Sequence, residues 1–159
     1  MKKTRKRPPP SRARGRIDTT TSPFFQVLVL TNLTGKPFHE RFGRRLHISL
    51  TEWRVMMAVA DRPGITAQQL AEYTGLDKMS VSRAVNALAG RGRLARETSP
   101  ADGRRLHLSL TAAGRAIYRR IAGSAGARER EVYSALSAAE RRSLVKLLRK
   151  LVAHARGMA

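Results

Sequence analysis

Apolar residues recur at intervals of three and four along most of this chain, and alternate in one short stretch. The first periodic run covers about residues 24–46. Phe25, Leu28 and Val29 form one stripe; Phe38, Phe42 and Leu46 resume one at spacing four, with Gly35-Lys36-Pro37 between. Pro37 removes a helix hydrogen bond and its ring crowds the preceding turn, so a kink or a split is predicted there. A second helix is predicted from Glu52 to about Asp61, capped by Thr51 and ended by Pro63-Gly64. Trp53, Val55, Met56, Met57 and Val59 supply its apolar bulk.

The next fifty residues change rhythm twice. Thr66-Ala67-Gln68-Gln69 is a capping box, and Leu70 and Tyr73 then share one face of a short helix. Gly75 suits the end of that helix because it accepts positive φ without steric cost. Asp77 caps a further helix, about Lys78 to Arg91, in which Val81, Val85 and Leu88 recur inward. Lys78, Ser80, Ser82, Arg83 and Asn86 fall largely on the opposite side. Leu94–Thr98 and Arg105–Leu110 then alternate as strands, with Leu106, Leu108 and Leu110 on one face. Ser99-Pro100-Ala101-Asp102-Gly103 is turn chemistry, and Arg104 and Arg105 stand at the tip. Capped helix, glycine turn, capped helix and ribbon make a helix-turn-helix followed by a wing, a shape suited to reading DNA.

Those exposed side chains fit a major groove. Arg forks onto guanine, Asn pairs with adenine, and Ser meets a phosphate or a base edge. Arg on a narrow ribbon suits an A·T-rich minor groove, and Asp102 can hold Arg104 by a bidentate contact. An ordinary solvated helix face and a weak surface ion pair are the plainer alternatives.

After the ribbon, Thr111 caps a long helix of about Ala112 to Leu136, weakened at its centre by Gly123-Ser124-Ala125-Gly126. Ser137-Ala138-Ala139-Glu140 is another capping box. The last helix carries Leu144, Leu147, Leu148, Leu151 and Val152 as a stripe of period 3.6. Such a stripe needs a partner, either its own core or another chain.

Composition narrows the function. The chain has 159 residues, a net charge of +21 and no cysteine. One compact domain is the default at this length. The charge calls for a polyanionic partner. Residues 1–23 and 116–159 each carry a net +7, whereas residues 50–115 carry only +4. The general electrostatic pull therefore comes mostly from outside the helix-turn-helix. Residues 1–23 read as a disordered basic arm, with 8 Lys or Arg in the first 16 positions and Pro8-Pro9-Pro10 among them. The arm either tracks phosphates or merely solubilises the chain. Phe24–Leu30 is too short and too polar in its flanks for a signal peptide, and no run reaches membrane-spanning length.

The run Asp77-Lys78-Met79-Ser80-Val81-Ser82-Arg83-Ala84-Val85-Asn86-Ala87-Leu88, followed by Gly92, Arg96, Asp102-Gly103-Arg104 and Leu110-Thr111-Ala112-Ala113-Gly114, resembles the MarR family of bacterial transcription regulators. The resemblance covers about residues 24–156. One departure stands in the wing, where Ser99 and Ala101 occupy positions that hold an acid and an Arg in many members. The resemblance implies a mainly α (α+β) fold: a winged helix-turn-helix at about 50–112, with dimerisation helices at about 24–46 and 112–156. It implies a homodimer on a near-palindromic operator, acting in the cytoplasm at the nucleoid, usually as a repressor. The implied DNA contacts are Lys78, Ser80, Ser82, Arg83, Asn86, Asp102, Arg104 and Arg105.

In many members of that family a small aromatic or phenolic effector releases the DNA, and the His and Arg near aromatics here could take an aromatic carboxylate. The effector binds where the dimerisation helices meet the winged domain. The matching region holds Phe38, His39, Phe42, His47, Trp53 and Met57, and His39, His47 and Trp53 are the expected contacts. The plainer reading makes Trp53 a core residue and His47 a helix cap. No enzyme, cofactor or metal is expected: His39, His47, His107 and His154 lack ligand spacing, and no phosphate loop or nucleophile elbow occurs. Two rivals remain: a sequence-independent basic nucleoid or RNA-binding protein, and a basic module for an acidic protein or anionic membrane.

Overall fold

The computed structural model describes residues 18–98 and 106–158. They fall into two compact units, divided in sequence between Pro37 and Phe38. Most of the predicted basic arm, residues 1–17, lies outside the described residues, as do Asp102, Arg104 and Arg105.

The first unit holds a turn and most of one helix. The Asp18 carboxylate accepts from the Thr20 amide at 3.0 Å and from the Thr20 and Thr21 hydroxyls at 2.6 and 3.0 Å. These bonds, the one from the Thr20 side chain above all, hold the Asp18 pKa below its ordinary value. Helix α1 spans Pro23–Phe38. Pro23 stands at the first helical position, where no hydrogen bond is lost and φ is already set. Phe24, Val27, Leu28, Leu30 and Leu33 of α1 are exposed.

The break expected at Gly35-Lys36-Pro37 takes a different form. Helix α1 passes through Pro37, and the α-helical ladder widens two residues later into a π-helical turn, His39–Gly43. There the Arg44 amide reaches the His39 carbonyl. The turn packs the His39 ring against Gly43, where a Cβ would lie 2.7 Å from Nδ1. Helix α2 (Arg44–Leu46) follows and ends in His47, which takes the left-handed conformation at φ 47°. That is the cap position usually given to glycine.

The remaining elements of the second unit are α3 (Leu50–Asp61), β1 (Ile65–Thr66), α4 (Ala67–Thr74), α5 (Lys78–Gly90), β2 (Leu94–Thr98), β3 (Leu106–Leu110), α6 (Ala112–Tyr133) and α7 (Ala138–Arg156). Ser49, rather than Thr51, caps α3: its hydroxyl accepts from Glu52 N, and the Glu52 carboxylate accepts from Ser49 N at 2.9 Å. The predicted caps at Thr66, Asp77, Thr111 and Ser137 are all observed. Gly75 ends α4 at φ 71°. Helix α6 runs unbroken across Gly123 to Gly126 and stops at Tyr133, three residues before the expected end.

The antiparallel sheet has the order β1-β3-β2. β1 is a two-residue strand that the sequence pattern did not announce; Ile65 and Thr66 pair with Leu108 and His107. In the ribbon Leu94 opposes Leu110 and Arg96 opposes Leu108. The core gathers Val55, Met56 and Val59 of α3, Leu70 of α4, Val81, Val85 and Leu88 of α5, Leu94, Leu108 and Leu110 of the sheet, and Ile121 of α6. Leu106 begins the same alternation as Leu108 and Leu110 but is exposed at the outer end of β3.

Candidate nucleic-acid interface

Helix α5 divides cleanly. Val81, Ala84, Val85 and Leu88 are buried, and Lys78, Ser82, Arg83 and Asn86 are exposed, with Ser80 between the two sets. Its start is fixed by Asp77, whose carboxylate accepts from the Ser80 amide at 2.8 Å. Ser80, first through its side chain and then through its backbone, lowers the Asp77 pKa; the Arg83 charge adds to this. Arg83 reaches back towards the Ser80 hydroxyl at 3.4 Å.

The far end of α5 is closed by a Schellman turn. Arg93 N donates to Leu88 O and Gly92 N to Ala89 O, both at 2.9 Å, with Gly92 at φ 64°. This places Gly92 just past the helix, where positive φ is needed. The same corner anchors α6. The Thr111 hydroxyl accepts from Gly114 N at 3.0 Å and donates to Gly92 O at 2.7 Å. Gly114 passes so near the Arg93 carbonyl that a Cβ would lie 1.9 Å from its oxygen. The Leu-Thr-x-x-Gly motif is thus a cap and a close backbone approach, and it sets the root of the wing.

Two arginines brace this corner, one against the start of α3 and one against the end of α2. Arg91 contacts both carboxylate oxygens of the buried Glu52 at 3.1 Å. Arg93 donates to Leu46 O at 2.6 Å and to His47 O at 3.1 Å, taking up carbonyls that α2 leaves free at its end. Desolvation, and then the neighbouring Arg91 charge, lower the Arg93 pKa, with Glu52 opposing.

The exposed face of α5 meets the ribbon in one cleft. Gln68 of α4, Lys78, Ser82 and Asn86 of α5 and Arg96 of β2 line it, over Val85 and Leu108. Arg96 Nη2 donates to Asn86 Oδ1 across the cleft. Arg96 and Gln68 were not among the expected contacts. The alternation Leu94, Arg96 was the available signal for Arg96, since it puts that side chain on the core-facing side of β2, towards α5. Lys78, Ser82 and Asn86 come together as expected. Arg83 with Ser80 lines a neighbouring cleft with Ser49, Thr51 and Glu52.

The three expected effector contacts are not alike. Trp53 is 5% exposed and stacks between Phe38 and Tyr118, at centroid distances of 6.0 and 5.4 Å. It is a core residue in this structure. His39 and His47 are exposed. His47 ends α2, as the plainer reading expected. No group of three or more His, Asp or Glu among the described residues could hold a metal ion. No described helix is long and apolar enough to cross a membrane.

Comparison with known proteins agrees with this geometry. The model of the MarR family matches residues 48–105. A protein of Thauera aromatica assigned as the transcriptional regulatory protein for the hcr operon is 33% identical over 97 residues, covering 61% of this chain and 58% of that relative. The chain therefore spans little more than half of that protein's length. The transcriptional regulator HosA of Escherichia coli O157:H7 is 33% identical over 101 residues, covering 64% of this chain and 75% of the relative. Among solved structures, the PcaV transcriptional regulator from Streptomyces coelicolor in complex with its natural ligand aligns with a TM-score of 0.74 and 26% identity, covering 88% of this chain and 98% of that one. All three are named as transcription regulators.

Proposed function

This chain belongs to the MarR family of transcriptional regulators, and from that premise we propose that two copies bind a near-palindromic DNA operator and repress the adjacent genes. One α5 enters a major groove in each half-site, with half-sites about one DNA turn (~34–36 Å) apart. Lys78, Ser80, Ser82, Arg83 and Asn86 face the DNA. Asp102 orients Arg104, and Arg104 and Arg105 of the wing enter the flanking minor groove. The observation that carries this reading is the split of α5, which exposes Lys78, Ser82, Arg83 and Asn86 while Val81, Val85 and Leu88 anchor it.

Dimerisation is supported by α7, whose Leu147 and Leu151 are 58% and 59% exposed although they lie on an apolar stripe. A small aromatic acid that favours a dimer with wrongly spaced α5 helices would release the DNA, since a ligand shifts only an equilibrium whose states it binds unequally. The ligand-bound PcaV structure supports looking for one. With Trp53 packed into the core, the exposed His39 and His47 are the residues at which such an acid would be met.

A footprint of the purified protein on genomic DNA tests the reading. Discrete, two-fold symmetric protected sites are expected, and Asn86→Ala should cost about 1–3 kcal/mol at those sites while relaxing sequence preference. The net charge of +21 favours the rival, a sequence-independent nucleic-acid binder. Binding that ignores sequence and survives loss of Arg83 and Asn86 would establish it. Calorimetry with small aromatic acids, against wild type and His47→Ala, tests the effector.

A further inference from the structure

We propose that Arg96 sets the base preference of Asn86: by holding Oδ1, it leaves Asn86 to present its amide nitrogen, so that Asn86 selects a base edge offering acceptors rather than adenine. This rests on the reading of DNA by α5 proposed above. An Asn side chain pairs with adenine through two opposite functions, its oxygen accepting from N6 and its nitrogen donating to N7. In this structure the first function is contested: Arg96 takes one of the two lone pairs of Oδ1 and holds that oxygen towards β2. Arg96 Nη2 donates to Asn86 Oδ1, and both side chains line the cleft between α5 and the ribbon. The group left wholly free is the Nδ2 amide with two donors. In the major groove, guanine offers two acceptors, O6 and N7, and thymine offers O4; adenine offers one acceptor beside a donor that would meet the Asn amide unfavourably.

The ribbon fixes the backbone from which Arg96 reaches Asn86. Arg96 sits opposite Leu108 in register, and Leu108 is buried in the core. The backbone that carries the guanidinium is thereby fixed. A guanidinium has five N–H donors, so one bond to Asn86 leaves others for a phosphate of the same groove. Excluding water from the cleft strengthens the Arg96–Asn86 bond, as it does any charge-assisted hydrogen bond.

The test is selection from a randomised DNA pool by full-length wild type, Asn86→Ala, Arg96→Met and Asn86→Asp. The base pair read by residue 86 is the one whose preference Asn86→Ala abolishes. Wild type is expected to favour guanine or thymine there by about tenfold over adenine. Arg96→Met frees Oδ1 and should move the preference to adenine. Asn86→Asp keeps the Arg96 contact but presents an acceptor, and should move it to cytosine, whose N4 donates. An adenine preference in wild type, an unchanged preference in Arg96→Met, or no position altered by Asn86→Ala overturns the inference while a selected consensus leaves the regulator reading intact. If wild type enriches no sequence, that reading falls and takes this one with it.

Discussion

At single positions, the contacts around Gly114 and Asp77 carry the clearest consequences. A methyl group at Gly114 would stand 1.9 Å from the Arg93 carbonyl, a backbone atom with nowhere to move. Gly114→Ala should therefore destabilise the fold by at least the ~1–3 kcal/mol of ordinary overpacking. Gly123, also within α6, has open space where its Cβ would be. Gly123→Ala should stabilise by about 0.5–1 kcal/mol through helix propensity. Urea unfolding of the two variants measures the contrast. At Asp77 the folded-state pKa is depressed, so the carboxylate's support of α5 is present above the ordinary aspartate range and is lost as pH falls through the depressed value. Stability curves of wild type and Asp77→Asn should differ near neutral pH and converge in acid. Most such caps were readable because a cap is local: Thr66 with Gln69, and Ser137 with Glu140, are four-residue patterns. Ser49 was overlooked for Thr51 because both are hydroxyl residues at a helix start. The deciding sign was Glu52, three residues after Ser49 and only one after Thr51. The Arg96–Asn86 and Arg93–Leu46 bonds span 10 and 47 residues, and no local pattern announces them.

At the level of elements, α5 and α7 are both amphipathic but only α5 buries its apolar side. Periodicity alone gave both stripes and could not say which one the chain would cover itself. For α7 the described residues leave Val145, Leu147, Leu148, Leu151 and Val152 exposed. If a second copy covers them, Leu147→Asp with Leu151→Asp should turn a dimer into a monomer in analytical ultracentrifugation. The folded winged domain should survive, because α7 contributes nothing to the core cluster. Operator affinity should fall with dimerisation, since each half-site would then bind alone. The ribbon was legible from its alternation, whereas β1 was hidden: two residues are too short to show any period, and Thr66 already served as a cap.

At the scale of the whole molecule, charge and readout are separated. The +4 on residues 50–115 is small beside the +7 at each end of the chain. Affinity for any DNA should thus fall steeply with salt, by about 10³–10⁵ between 50 and 200 mM if six to ten phosphates are met. Removing residues 2–16 should flatten the slope of log affinity against log salt and weaken all sequences alike. A fluorescence-anisotropy titration of operator and scrambled duplexes checks both. The sequence told of a polyanion partner at this scale because charge sums over a chain without regard to fold. The effector surface was illegible for the opposite reason: a stripe of aromatics reads the same whether it walls a cavity or fills a core.

The stack of Phe38 and Tyr118 around the buried Trp53 has a practical corollary. Trp53 is the only tryptophan in the chain, so its emission is an unlabelled optical report from a single point, at the α3–α6 contact beside the π-helical turn. Shielded from water, the indole should emit at short wavelength in the native state and shift red on denaturation. A compound that wedges between the rings would announce itself as a change in intensity without that shift, which separates occupancy from unfolding in one cuvette.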